Sequence, residues 1–211
     1  MAAPLITVTR EYASGGSDVA QLVAQGLGWT VIDNEFVDAV AARAGLPAEA
    51  VAQREERAPG LLERLARTLA VASPELFTGP EVSQVERDEA TIHTITERII
   101  HEAAAAGRVV LVGRGAQAVL AKRPEALHVY VVASKPWRVR FAVDRMGIEP
   151  ARAEKTLEET DRHRDEYVKT YYGRVRREAA NYDLVVNAER LGVEGAAAVV
   201  VSEVRRRGWS S

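Results

Sequence analysis

Five short apolar runs recur along the chain, and most of them are continuous rather than alternating with polar residues. A continuous apolar run is typical of a strand covered on both faces, as in a parallel sheet. Segments with helical periodicity lie between the runs. The pattern therefore predicts an α/β fold, with a five-stranded parallel sheet flanked by helices and joined by right-handed crossovers. The predicted strands are residues 5–9, 30–32, 109–112, 127–132 and 184–186.

The helical patterns are of two kinds, short crossovers and longer excursions. Residues 18–27 and 35–44 each fit a short helix that is followed by a glycine. Two longer segments separate later strands, and both are expected to lie over the mouth of the sheet. Residues 46–107 predict a helical insertion after the second strand, and the charged residues 135–181 predict a helical lid after the fourth. The helices predicted within the insertion are residues 47–69 and 84–106.

Composition narrows the class of protein further. The chain has 211 residues, 47% of them hydrophobic and 27% charged, which fits one globular domain over residues 1–211. A net charge of −2 gives no reason to expect binding to nucleic acid or to a membrane. The absence of cysteine excludes disulfides, thiolate metal sites and cysteine nucleophiles. No apolar stretch approaches the roughly 20 residues that span a bilayer, so a cytoplasmic protein is expected.

A glycine-rich turn follows the first predicted strand and leads into a helix. This layout predicts a phosphate-binding loop, because glycines turn backbone N–H groups inward and the helix N-terminus adds partial positive charge. In the register of G-x-x-x-x-G-K-[ST], Gly15 is the second glycine and Ser17 the hydroxyl residue, whereas Arg10 stands at the first glycine and Gly16 at the lysine. The predicted phosphate-binding residues are Arg10, Ser14, Gly15, Gly16, Ser17, Asp18 and Asp33.

Two further strand ends carry side chains suited to phosphate chemistry. Asp33 ends the second predicted strand, where a carboxylate beside Ser17 fits a Mg²⁺ site. Capping of a helix that begins at Glu35 is an equal alternative for Asp33. Arg114 follows the third strand between two glycines, and its planar fork can bind two phosphate oxygens. A surface salt bridge is the alternative for Arg114.

The charged segment after the fourth strand offers more cations. Most of its charges are expected to lie on a solvated helix, where Glu158 and Arg162, and Asp161 and Asp165, sit at a spacing of four. A few arginines could close over a transferred phosphoryl group. The catalytic candidates are Arg114, Arg138, Arg162 and Arg164.

Two other clusters are assigned structural roles. His93, Glu97 and His101 share one helical face but lack an H-E-x-x-H arrangement, so a metal site is not expected. The tyrosines at 167, 171 and 172 are expected to pack against a helix or a partner surface.

Several stretches together resemble the cytidylate kinase-like family of nucleoside monophosphate kinase-related P-loop proteins. They include TVTREYASGGS at 7–17, VLVGRGA at 110–116 and YDLVVN at 182–187, with shorter pieces at 31–33, 131–133 and 161–173. The resemblance implies an ATP-type donor site at residues 14–17, with Mg²⁺ and ATP bound. It also implies a monophosphate acceptor site facing Asp33 and Arg114, and lid arginines at 138, 162 and 164. The lysine of true cytidylate kinases is replaced by Gly16, and the acidic residue that follows their arginine by Gly115.

Two functions follow from this resemblance. The first is transfer of the terminal phosphoryl group of Mg–ATP to CMP, dCMP or a related monophosphate, favoured by Arg114 and the arginine-rich lid. The alternative is a catalytically weak nucleotide-binding switch or partner-binding protein, favoured by the missing lysine. A dinucleotide-dependent oxidoreductase is excluded, because no G-x-G-x-x-G follows the first strand. The expected partners are nucleotides, and a homodimer is left open.

Overall fold

A computed structural model of the chain describes residues 3–33 and 84–209, with the backbone only at residues 84–92 and 95. The chain divides into two compact units, Met1–Asp33 with Ala103–Ser211 and Asn34–Glu102. The sheet and the candidate site belong to the first unit. The second unit contains most of the predicted insertion, and the helices predicted at residues 35–44 and 47–69 lie outside the described residues. The single-domain assignment stays a prediction.

The described strands form one parallel sheet in the order β2-β3-β1-β4-β5, which confirms the predicted fold class. Each observed strand agrees with its predicted range to within one residue at either end. Continuous apolar runs locate these strands well because the central strands are buried on both faces, as Ile6 and Val110 are. The strands are β1 Leu5–Arg10, β2 Thr30–Asp33, β3 Val109–Val112, β4 Ala126–Val132 and β5 Leu184–Asn187.

The register of the sheet brings the carboxyl ends of four strands to one edge. Val8 of β1 pairs with Val112 of β3, and Asp33 of β2 pairs with the same residue from the other side. Arg10 pairs with Val131 of β4. The carboxyl ends of these parallel strands therefore meet, which is where ligands bind in open α/β sheets.

Helices connect the successive strands, and we number those that the structure describes. Helix α1 packs against α6 in the main core, where Val19 and Val23 meet Val200. Helix α2 has the predicted bounds, whereas α1 begins two residues before the predicted residue 18. No described helix is both long enough and apolar enough to cross a membrane. The helices are α1 Gly16–Leu27, α2 Gln84–Ala106, α3 Ala116–Val119, α4 Lys135–Met146, α5 Pro150–Tyr172 and α6 Ala188–Arg206, with a 3-10 turn at Ala179–Asn181.

The predicted lid region, residues 135–181, contains α4 and α5. Ala142 of α4 and Ala153 and Leu157 of α5 form a small buried apolar cluster with Ala13, which lies between β1 and α1. This cluster joins the two helices to the glycine turn. The turn is consequently packed from the side of the sheet where the fourth strand ends.

A histidine is buried in the sheet itself. His128 of β4 is 8% exposed, and its Nδ1 lies 2.8 Å from the Oγ1 of Thr7 in β1. Burial lowers the pKa of His128 below its ordinary 6.5, although the nearby Asp183 carboxylate opposes the shift. The folded protein therefore holds this ring neutral at pH values where the unfolded chain protonates it.

We expect His128 to make the protein less stable in mild acid. Between pH 6.5 and the lower folded pKa, the unfolded state binds the extra proton, so the free energy of unfolding falls as pH falls. One such group contributes at most about 1.4 kcal/mol per pH unit. Urea unfolding from pH 8 to pH 5 should give a smaller acid loss for His128→Gln than for wild type. His163→Gln, which replaces an exposed histidine, is the matched control; an acid loss in His128→Gln equal to that of wild type would contradict the assignment.

Candidate functional site

The turn between β1 and α1 is held by its own side chains. Ser14 is buried, and its Oγ lies within hydrogen-bond distance of two acceptors for its single proton, the Glu11 carbonyl at 2.9 Å and the Val131 carbonyl at 3.2 Å. Its backbone N–H also donates to Glu11. Ala13 and Gly15 have φ values of 56° and 76°, both in the left-handed region. Ser14 therefore fixes the shape of the turn, and its hydroxyl is directed into the protein.

The first turn of α1 begins with backbone donors that are not used within the helix. The first intrahelical bond runs from the Val19 N–H to the Gly15 carbonyl at 2.9 Å. The N–H groups of Gly16, Ser17 and Asp18 precede that bond, so they make no hydrogen bond within the helix. Gly15 supplies no side-chain cap. These donors and the helix dipole form an arrangement that binds anions.

The side chain of Arg10 runs from Gly16 to Gly113 beside this turn. Arg10 is 5% exposed and packs on Gly16, where an added Cβ would overlap the Arg10 Cβ and lie 3.0 Å from its Cγ. Its guanidinium reaches Gly113, where an added Cβ would overlap Nη1 and lie 3.0 Å from Cζ. Both glycines thus leave the space that the arginine fills.

Asp33 connects Arg10 to the helix. Arg10 Nη2 lies 3.5 Å from Asp33 Oδ1, and the Ser17 hydroxyl donates to Asp33 Oδ2 at 3.4 Å. The structure thus brings together Ser17 and Asp33, the two residues predicted to hold Mg²⁺. A hydroxyl and a carboxylate are hard oxygen donors of the kind that Mg²⁺ accepts beside a phosphate loop, so the residues present fit that ion.

A buried ionic cluster lies under the turn, and we call Asp161, Arg138 and Arg176 the Asp161 cluster. Asp161 of α5 is 2% exposed and accepts from the Tyr12 N–H at 3.0 Å, from Arg138 Nη1 at 2.6 Å and from Arg176 Nη2 at 3.3 Å. Arg138 also donates to the Tyr12 carbonyl at 3.2 Å. The cluster therefore binds both backbone polar groups of Tyr12, the N–H and the carbonyl, and fixes the turn to α4 and α5.

The carbonyl of Arg10 is held from the same side. It accepts from Arg176 Nη1 at 2.9 Å and from Arg164 Nη1 at 3.3 Å. The Arg164 guanidinium also lies over the Tyr12 ring, with Cζ 5.6 Å from its centre. The backbone from which the Arg10 side chain starts is consequently fixed by two arginines of residues 135–181.

Glu11 has its own cationic surroundings beside the turn. Its Oε2 accepts from the Ala133 N–H at 3.1 Å and lies 3.7 Å from Arg138 Nε. Its Oε1 lies 3.9 Å from Arg177 Nη1. These partners balance the negative charge of Glu11. They therefore reduce its repulsion of an anion bound at the turn.

The expected solvated position is wrong for Asp161 of α5, whereas Glu158 and Arg162 are both exposed. Asp161 does not stand on a solvated face beside Asp165, because it lies on the buried stripe with Leu157 and Val168. The Glu158 carboxylate accepts from Lys135 Nζ at 2.6 Å rather than pairing with Arg162. Arg162 instead lies 3.8 Å from Glu166, with 62% of its side chain exposed.

The sequence interpretation did not identify Arg176, although its side chain is only 4% exposed. No local pattern around residue 176 distinguishes it from its charged neighbours. Asp161, by contrast, carried a usable signal, because it falls four residues after Leu157 and seven before Val168 on one helical stripe. A carboxylate on such a stripe requires buried cationic partners.

Arg114 lies at the end of β3 against the tyrosines of α5. Its φ is 47°, and its guanidinium Cζ lies 5.1 Å from the centre of the Tyr167 ring. Tyr167 also contacts Tyr171, with ring centres 4.8 Å apart. A Cβ at Gly115 would press on the Tyr172 ring, so the glycine permits this approach. The tyrosines thus pack against the strand end and position Arg114 by a cation–π contact.

The histidine face of α2 forms an ordinary helical pair. His93 Nε2 lies 3.6 Å from Glu97 Oε1, one turn along the helix. Within residues 3–33 and 84–209, no group of three potential metal-ligating side chains is found.

Comparisons with known proteins agree with this architecture. The model of the cytidylate kinase-like family matches residues 5–190. No curated protein matches the chain. An uncharacterized protein from Eubacterium ventriosum has a similar structure, with a TM-score of 0.68, 18% identity, and coverage of 96% of this chain and 98% of that one.

Two shikimate kinases also share the fold. The enzyme from Bacteroides thetaiotaomicron gives a TM-score of 0.53 at 16% identity and covers 96% of this chain and 98% of its own. The enzyme from Acinetobacter baumannii, solved with shikimate, gives 0.53 at 13% identity with coverage of 97% and 94%. At these identities the likeness shows the fold alone.

We expect Asp161→Ala to destabilise the protein strongly. It would leave Arg138 and Arg176 buried without their carboxylate, a loss of about 3–5 kcal/mol in the free energy of unfolding. Urea unfolding would measure it. The matched control is Glu158→Ala on the same helix, whose carboxylate is exposed and whose loss should leave stability nearly unchanged. Equal effects of the two substitutions would show that the Asp161 cluster does not hold the turn.

Proposed function

Because the chain belongs to the cytidylate kinase-like family, we propose that it transfers the terminal phosphoryl group of Mg–ATP to CMP, dCMP or a related monophosphate. The observation that carries this proposal is the convergence at one sheet edge of the start of α1, the Ser17–Asp33 pair and the Arg10 guanidinium. Phosphoryl transfer needs these elements, since its catalysis is almost entirely positioning and charge stabilisation.

The donor phosphates would lie on the first turn of α1. The N–H groups of Gly16, Ser17 and Asp18 would bind their oxygens, with the helix dipole adding favourable charge. Ser17 and Asp33 would hold Mg²⁺, which when bound neutralises charge on the phosphates. The contacts of both Asp33 oxygens with Arg10 and Ser17 support this role, and the alternative of capping a helix that begins at Glu35 lies outside the described residues.

The acceptor would lie beside Arg114. Its position after β3, next to the strand ends of β1 and β2, suits contact with a monophosphate, and Tyr167 would keep the guanidinium oriented. Arg138 would act as a positioning residue rather than in the chemistry, because its guanidinium is committed to Asp161 and Tyr12. Arg164 would have a similar role, and exposed Arg162 stays a candidate for contact on closure of the lid.

The second candidate function is nucleotide binding with little or no turnover. Gly16 at the lysine position is the observation in its favour, since no cation projects from that residue toward the phosphates. Such a protein would act as a nucleotide-responsive switch or a platform for a partner.

Single-turnover transfer separates these candidates. With saturating Mg–ATP and each common monophosphate in turn, we expect labelled γ-phosphate to appear in the product with CMP or dCMP. Binding of Mg–ATP is measured in parallel. Tight nucleotide binding without transfer to any monophosphate would reject the kinase and favour the switch.

We expect Arg114→Lys to weaken monophosphate binding selectively. A lysine cannot form the two parallel hydrogen bonds of a guanidinium, and the loss should be about 1–3 kcal/mol, or roughly 5- to 150-fold in Kd. Binding of Mg–ATP and the melting temperature should change little. Calorimetric titration of both ligands would measure this change in affinity. The control is Arg152→Lys, which replaces an exposed arginine of α5. Equal losses for both ligands, or a large drop in stability, would make Arg114 structural.

A further inference from the structure

The two positions at which the turn departs from G-x-x-x-x-G-K-[ST] are in contact with each other. Arg10 occupies the first glycine position, and Gly16 occupies the lysine position. In the structure the Arg10 stem lies directly on Gly16, so that a Cβ at residue 16 would overlap the Arg10 Cβ. The two departures are therefore neighbours in space, six residues apart in the chain.

This contact makes the two departures dependent on each other. Only one of the two positions can carry a side chain, because the overlap involves the rigid Cβ of Arg10 rather than the end of a flexible chain. The backbone at Arg10 cannot easily move away, since its carbonyl is held by Arg164 and Arg176. A glycine at residue 10 would free the space for a lysine at residue 16, and a glycine at residue 16 frees it for Arg10.

The exchange keeps a positive charge beside the helix start. The Arg10 guanidinium lies at Gly113, and Nη2 is 3.5 Å from Asp33, whose other oxygen accepts from Ser17. The charge thus stands next to Asp33, which together with Ser17 fits Mg²⁺. Its side chain is 6% exposed, so the surroundings hold it in place.

We propose that Arg10 and Gly16 are a compensating exchange, in which the Arg10 guanidinium supplies from the strand end the cation that a lysine supplies from the helix. This rests on the proposed kinase function. During transfer, the bond between Pγ and the bridging oxygen of ADP breaks while an acceptor phosphate oxygen bonds to Pγ. Arg10 would donate hydrogen bonds to the β- and γ-phosphate oxygens and stay protonated throughout.

The steric half of the proposal is tested by stability alone, whatever the activity. Gly16→Ala should lower the melting temperature in the wild-type background and lower it much less in Arg10→Gly. Gly26→Ala is the matched control within α1, because a Cβ there would lie 3.6 Å from Val201, an ordinary contact. The same drop for Gly16→Ala in both backgrounds would overturn the exchange.

The charge half is tested by single-turnover transfer and by Mg–ATP affinity. Arg10→Gln keeps the stem on Gly16 but removes the charge, and transfer should fall on the order of 100-fold, with a smaller loss in affinity. Arg10→Gly should lose transfer likewise. The double variant Arg10→Gly/Gly16→Lys rebuilds the standard motif and should recover most of it.

The outcomes separate this proposal from the proposed function. Full transfer by Arg10→Gln would overturn the role of Arg10 while leaving the kinase intact. A folded double variant no better than Arg10→Gly, in both transfer and Mg–ATP affinity, would also overturn it. If wild type transfers to no acceptor, the kinase is rejected, and restored Mg–ATP affinity in the double variant would still support the exchange as a phosphate-binding device.

Discussion

A buried carboxylate on α5 determines the shape of the turn on which the candidate site is built. Removing a charge such as Asp161 from water costs several kcal/mol, and only well-placed partners offset that. Here the partners are the Tyr12 N–H and two buried arginines, Arg138 and Arg176. They come from three separate parts of the chain, and Tyr12 lies 149 residues before Asp161. The turn therefore has its observed conformation only when α4 and α5 are in place, which links donor-site geometry to the predicted lid region.

That link explains how the turn can include a strained residue. Ala13 has a φ of 56°, a left-handed conformation that a non-glycine residue adopts only when its surroundings enforce it. Ala13 packs with Leu157 in the small apolar cluster, and the hydroxyl of the following Ser14 lies within hydrogen-bond distance of two carbonyls. The apolar contact and the ionic clamp act on adjacent residues, so together they fix the turn that leads into α1.

The strands could be predicted from the sequence because a continuous apolar run directly reflects burial on both faces, as for residues 109–112. The exchange at residues 10 and 16 was visible only as two mismatches to a motif, since their contact depends on the path of the turn. Asp161 was misassigned for a related reason. A spacing of four from Asp165 fits a solvated helix equally well, and the residue that needs its carboxylate, Tyr12, lies far away in the chain. Local periodicity does not reveal partners that are so far apart in the sequence.

The arginines of the molecule differ in how firmly each is held, and this difference separates structural cations from functional ones. Arg138 lies 2.6 Å from Asp161, and both side chains are less than 10% exposed, so an incoming anion would have to break a buried, well-matched pair. Arg10 lies 3.5 Å from Asp33, whose side chain is 29% exposed. Although the Arg10 side chain is itself buried, this pair is longer and reaches solvent through Asp33, whose carboxylate Mg²⁺ would also attract. On the proposed function, a phosphate at the turn would meet the Arg10–Asp33 pair before the buried Arg138–Asp161 pair, although a count of charges along the sequence favours the arginine-rich segment.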